Sequence, residues 1–164
     1  TRWYMITNAQ PWDNLKFDAD VIAESQRKFF GTLYNTYGFY ALYANIDSYD
    51  YSDAEVPLEN RPEIDRWVMS KLNSLIAEVD EHYMEFEPKK AGRAIQEFVN
   101  ENLSNWYVRL CRRRFWKGEP SPDKSAAYQT LYTCLETVSK LMRPIAPFYS
   151  DKLYGDLNSV TGRE

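Results

Sequence analysis

The residues best suited to chemistry lie between 109 and 117, RLCRRRFWK. Arg109, Arg112, Arg113, Arg114 and Lys117 stand there with no acid among them, and Phe115 and Trp116 are interleaved. A guanidinium grips phosphate through two parallel N–H donors and stacks on flat rings, while indole and phenyl faces take up unpaired bases. That chemistry is binding, not bond-making. Cations near a helix C-terminus also answer the helix dipole, so part of the cluster is ordinary termination. Five cations in nine residues beside two aromatics exceed that need. Helical spacing suggests two strips, one of Arg109, Arg112 and Lys117 and one of Arg109, Arg113 and Trp116, with the three arginines not all on one face. The competing use of these charges is pairing with residues 46–65, which hold seven acids against one Arg, or with Glu97, Glu101 and Glu119.

Catalysis has no comparable foothold. The one histidine, His82, has no evident partner to make it a general base. There is no Glu-x-x-His pair for a carboxylate di-metal bundle and no glycine-rich phosphate loop. The segment DSYDYSDAE lacks the glycine and terminal Glu of a calcium loop and reads as a solvated connector. Cys111 and Cys134 form no CxxC pair and are expected to be small core residues in a reducing compartment.

The elements that must position the basic cluster are helices. From Pro88 to Gly118, Ala91, Ala94, Ile95, Phe98, Val99, Leu103, Trp106 and Leu110 recur at three- and four-residue steps and predict one long amphipathic helix with that stripe inward. A helix from Asp18 or Asp20 to about Ala44 carries Phe29, Phe30, Leu33, Tyr37 and Ala41, with Gly31 and Gly38 as weak points. Another runs from Pro62 through Val68, Leu72, Leu75, Ile76, Val79 and Tyr83 to Phe86. A fourth follows a cap at Ser121 or Asp123 and ends near Met142, before Pro144, and a short amphipathic piece with Phe148, Leu153 and Leu157 closes the chain. Short connectors make neighbours antiparallel. The expected fold is all-α, an up-and-down antiparallel bundle of about four main helices plus a short C-terminal helix. Residues 1–17 read as the end of one element and a connector, with Trp12 and Phe17 docked on the core, ahead of a bundle spanning 18–164. With 164 residues, 44% of them apolar, the chain can bury its own core, and it contains no membrane-length apolar run. Its start at Thr1, in mid-pattern, suggests a piece of something longer.

Five stretches carry a resemblance: RWYMITNAQPWDNLKFD, RKFFGTLYNTYGFYALYANID, DRWVMSKLNSLI, GRAIQEFVNENLSNWYVRLCRRRFWKGE and LYTCLETVSKLMRPIAPFYSDKLY. Together they resemble the isoleucine–tRNA ligases, class I aminoacyl-tRNA synthetases, in the part that follows the catalytic domain. The resemblance covers essentially the whole chain, and NWYVRLCRRRFW is its most specific motif. It implies that residues 1–17 are the exit from the catalytic domain and that 18–164 form the helical anticodon-binding bundle. The implied partners are the anticodon stem-loop of tRNA(Ile) and the catalytic domain of the same polypeptide, in the cytoplasm and away from membranes. Trp116 matches the place where methionine relatives stack a Trp on an anticodon base, and Asn35 matches the Asn of their Asn-x-x-Arg motif. Gly38 stands where that Arg would be. Both ATP-site signatures are absent, so this chain alone is not expected to be an enzyme or to hold a cofactor; ATP with Mg²⁺ belongs to the parent. The alternative is a scaffold bundle that docks on the catalytic domain or another protein without reading bases. In that case Trp3, Tyr4 and Trp12 would be exposed in isolation.

Overall fold

A computed structural model describes residues 1–10, 12–116 and 118–162. Every regular element among them is helical. The first, α1 (Arg2–Asn8), is followed by an irregular connector and by one continuous run of α2 (Ala19–Ser25), a π-helical turn π1 (Gln26–Phe30) and α3 (Gly31–Asp47). Asp18 caps this run, its carboxylate accepting from the amides of Asp20 and Val21, and Ser48 ends it in the left-handed region. A short 3₁₀ turn precedes α4 (Glu63–Met84). The next run joins α5 (Pro88–Glu97), π2 (Phe98–Val108) and α6 (Arg109–Trp116). Then come α7 (Pro122–Met142), capped by Ser121, and α8 (Pro147–Thr161). The last is a full 15-residue helix, longer than the short piece expected.

Consecutive long helices run antiparallel. Asp65 at the start of α4 meets Tyr107 and Arg114 late in the following run, and Tyr83 at the end of α4 reaches the Leu141 carbonyl at the end of α7. One end of the bundle therefore gathers the C-termini of α3 and α6 and the N-termini of α4 and α7. The most enclosed helix is α7, with 13 of its 21 residues buried, and the others pack around it.

The π2 winding changes which residues of the long run face inward. Ile95, Val99, Leu103, Tyr107, Cys111 and Phe115 are buried, a strict step of four. In a continuous α-helix of ~3.6 residues per turn, five such steps would drift well round the axis. The wider i→i+5 winding of π2 absorbs the drift and holds all six on the core. The expectation that Trp106 and Leu110 point inward assumed uninterrupted α geometry, and both are exposed.

Three other expectations change. Trp12, 74% exposed, and Phe17 do not dock on the core; the connector is held by Tyr4 Oη donating to the Lys16 carbonyl at 2.9 Å. Trp3 and Tyr4, in turn, are buried, and the Trp3 ring stacks on Phe29 at 4.3 Å. The first helix is thus part of the core rather than an exposed remnant. Ile76, Phe86 and Phe148 are exposed where an inward stripe was expected. The acidic segment is fastened rather than loosely solvated: Asp47 accepts from Lys124 and Tyr128, Asp53 from Ser125 Oγ, and Gln129 bonds both the Ala54 carbonyl and the Val56 amide.

Candidate nucleic-acid interface

The last two turns before residue 117 are regular α-helix, so positions 109, 112, 113 and 116 follow i, i+3, i+4, i+7 and share one face. All four side chains there, Arg109, Arg112, Arg113 and Trp116, are exposed. The expectation that the three arginines must divide between strips is therefore corrected: neighbours three and four apart lie side by side. Among the described residues none of the three arginines forms an ion pair, with the acidic segment, with Glu97, Glu101 or Glu119, or with any other acid. Trp116 is 55% exposed, and one turn before Arg109 and Leu110 stands Trp106, 53% exposed and edge-on to Trp67 at 6.4 Å. Three free guanidinium groups thus lie between two accessible indole faces. Lys117 lies outside the described residues.

Arg114 and Phe115 do something else. Phe115 is 1% exposed, held edge-on between the rings of Phe39 at 5.1 Å and Tyr128 at 5.0 Å, and has no face to offer a ligand. Arg114 turns inward to Asp65. Its Nη1 and Nη2 donate to Oδ1 and Oδ2 at 2.6 and 2.8 Å, and its Nε donates to Asp123 Oδ2 at 3.1 Å. Tyr107 Oη completes the set with a 2.9 Å bond to Asp65 Oδ1. Burial works against the Arg114 charge, but the bonds to Asp65 and Asp123 and the field of Asp65 and Tyr107 together outweigh it and hold the guanidinium more firmly protonated than usual. Burial likewise pushes the Tyr107 hydroxyl and the Cys111 thiol above their ordinary values. A phosphate would have to displace two carboxylates from Arg114. As binding groups, Arg114 and Phe115 are corrected to structural ones.

Asp65 is the residue that sequence reasoning missed. It was counted with the acidic stretch, yet 65, 68, 72, 75 and 79 form one helical stripe, and every one of these residues of α4 is buried. An acid in phase with an apolar stripe is a buried acid that needs a cationic partner. That signal was readable.

Asn35 is exposed on α3, one turn before Phe39, whose ring contact with Phe115 sets α3 beside α6. Among the described residues it shares no hydrogen bond with α6. At Gly38, one turn further on, a Cβ would meet nothing within 4 Å, so no steric demand explains the glycine. Beneath Trp116 a cleft of about 460 Å³ opens, lined by Arg113, Arg114, Trp116, Glu119, Ser121 and Asp123. Among the described residues no group of three His, Cys, Asp or Glu side chains could hold a metal ion, and no helix is long and apolar enough to cross a membrane.

The family described as the anticodon-binding domain of tRNA ligase matches residues 65–163, which include the whole basic face. Isoleucine–tRNA ligase of Bacteroides thetaiotaomicron is 69% identical over 163 residues, 99% of this chain and 14% of the relative. The enzyme of the same name from Cytophaga hutchinsonii is 67% identical over 161 residues, and that from Dehalococcoides mccartyi 47% over 157. The chain therefore spans about a seventh of the length of these relatives, 14% in the first of them. With the matched family covering more than half its length, the chain belongs to the anticodon-binding domains of tRNA ligases.

Proposed function

We propose that this chain is the tRNA anticodon-recognition module of an isoleucine–tRNA ligase and holds tRNA(Ile) in place for ATP-dependent aminoacylation elsewhere in the parent polypeptide. The observation that carries the reading is the exposed face of Arg109, Arg112, Arg113 and Trp116, whose cations have no partner among the described residues. Free guanidinium groups meet the phosphates of the anticodon stem-loop, and Trp116 stacks on an unpaired base, with Lys117 and Asn35 as further candidate contacts. The catalytic domain of the same polypeptide supplies the ATP and Mg²⁺ chemistry, in the cytoplasm.

Binding to an isoleucine tRNA anticodon stem-loop, measured at two salt concentrations, tests this. Trp116→Ala is expected to cost ~1–3 kcal/mol, the value of one base–aromatic stack. Arg112→Ala is expected to flatten the salt dependence by roughly 0.7–0.9 of a log–log unit, one phosphate contact. Unchanged affinity in both variants would sink the assignment.

A second reading, docking on another protein surface, is supported by the opposite end of the bundle. There Phe86 is 86% exposed beside Met84, and Gln10 Nε2, bonded to Glu87 Oε2 at 3.3 Å, brings the connector with Trp12 close. Sedimentation of Phe86→Ser against the wild type distinguishes a sticky apolar end from a silent one. The two readings concern opposite ends of the molecule and do not compete for residues.

A further inference from the structure

A second, smaller cleft of about 180 Å³ lies in the hairpin of α7 and α8, lined by Ser139, Lys140, Arg143, Ser150, Asp151 and Tyr154. The two helices run antiparallel, with Tyr132 Oη donating to Asn158 Oδ1 at 2.6 Å. The cleft sits near the turn that joins them, at the end of the bundle opposite the basic face. Lys140 is already engaged: its Nζ is 3.2 Å from Glu136 Oε2 and 5.5 Å from the centroid of the Tyr154 ring. Arg143 and Asp151 are exposed, and among the described residues neither side chain has an ion-pair or hydrogen-bond partner. They line one small cleft without reaching each other. Ser150 is 1% exposed, and its Oγ has no hydrogen-bond partner. Ser139, equally enclosed, donates its hydroxyl to the Glu136 carbonyl at 2.7 Å and keeps its lone pairs to accept with. The helix dipole accounts for a cation at the end of α7. It does not account for an enclosed hydroxyl with nothing to bond, which is rare in folded proteins.

The geometry points to a binding site for a free α-amino acid. Sorted by chemistry, the cleft offers two donors, the Arg143 guanidinium and the Ser150 hydroxyl, and two acceptors, the Asp151 carboxylate and the Ser139 oxygen. A zwitterion answers both sets. Its carboxylate meets the guanidinium through two parallel bonds and takes the Ser150 proton, while its ammonium donates to Asp151 and Ser139 Oγ. Ligands of a single charge fit worse. A phosphate would set its charge against Asp151, and a simple amine would leave Arg143 and Ser150 unanswered. A volume of about 180 Å³ is that of roughly six water molecules, room for the zwitterionic head and a short side chain. The site lies outside the anticodon-interface reading and does not depend on it.

The test titrates L-alanine into isotope-labelled protein and follows the backbone amides by NMR. Alaninamide, which lacks the carboxylate, and lactate, which has a hydroxyl in place of the ammonium, are the controls. L-Alanine is expected to shift the amides of residues 139–154 saturably. Each control is expected to bind ~10-fold more weakly or worse, since each loses one charge-assisted pair. Arg143→Ala is expected to weaken L-alanine by a similar factor. Ser150→Ala is expected to weaken it by about 3-fold or more and to leave the melting temperature unchanged or raised, because a buried hydroxyl without a partner has been removed. A merely structural Ser150 would move the stability and leave the affinity alone. If L-alanine gives no saturable shift even at millimolar concentrations, the cleft holds only water and the assignment is wrong. If lactate binds as tightly as L-alanine, the ammonium contact is absent and the zwitterion assignment is wrong as well. Neither result touches the RNA interface at the other end of the bundle.

Discussion

Arg114 and its neighbours Arg112 and Arg113 have the same chemistry and opposite fates, and the difference is angular. A step of one residue beyond Arg113, roughly 100° of helix rotation, sets Arg114 towards Asp65, with Asp65 fully enclosed and bonded also by Tyr107. Removing the acid leaves a part-buried guanidinium held only by Asp123 and a buried hydroxyl without its partner, so Asp65→Ala is expected to destabilise the fold by about 3–5 kcal/mol in urea titration. Replacing both members with apolar residues of similar volume is expected to recover much of that loss, because the desolvation cost of the pair disappears as well. A basic cluster read from sequence therefore mixes two populations. Composition found the cluster, and only the phase of Asp65 on α4 separates the arginine that holds the fold together from the three that are free. Phe115 and Trp116 divide in the same way: adjacent in sequence, one lies wedged between Phe39 and Tyr128 and the other faces solvent.

At the scale of elements, close approach and empty space decide what each helix tolerates. Where α1 crosses α5, a Cβ on Gly92 would sit 2.6 Å from Thr7 Cγ2 and 3.2 Å from Ile145 Cδ1, and Thr7 is tied down by its bond to the Trp3 carbonyl. Gly92→Ala is expected to cost ~1–3 kcal/mol through overpacking. Gly38 lies in open space on α3, and Gly38→Ala is expected to stabilise by about 0.5–1 kcal/mol. Paired thermal melts of the two variants check both signs. Helix number, order and direction were legible because apolar spacing, prolines at 62, 88, 122 and 147 and the caps at Asp18 and Ser121 all agree. The inward face of the 88–116 run was half legible. Its apolar residues hold both a three-and-four pattern and a strict four-step, and choosing between them requires knowing that π2 winds wide. The exposure of Trp106 followed from that choice.

The whole molecule is rich in buried phenols, and this sets its response to alkali. Burial pushes the hydroxyls of Tyr83 and Tyr149 up to about 12 from an ordinary 10.0, and those of Tyr40, Tyr107 and Tyr128 are also raised, burial being the main cause throughout. A raised folded value means that the folded state holds its protons longer than the unfolded state. The contribution to stability is complete below pH 10 and is lost as pH rises from 10 through 12. Stability measured in urea is expected to be nearly flat up to pH 9 and then to fall steeply, with tyrosinate absorbance rising together with unfolding rather than ahead of it. Tyrosinate that titrates fully while helical dichroism stays intact would contradict the burial. The sequence showed the thirteen tyrosines but not which of them are buried, since Tyr34 and Tyr107 differ only in the helix phase that turns one out and the other in.

The π2 segment also makes the position of the basic face a matter of counting. A helix turns roughly 100° for each residue it contains, so the direction in which α6 points depends on the number of residues between Phe98 and Val108 as much as on their kinds. A substitution there changes one contact. A single-residue insertion or deletion would leave Arg109, Arg112, Arg113 and Trp116 all present and aim them at a different neighbour. For relatives with the same letters in α6, conserved spacing across this segment is the condition under which their arginines face the same way.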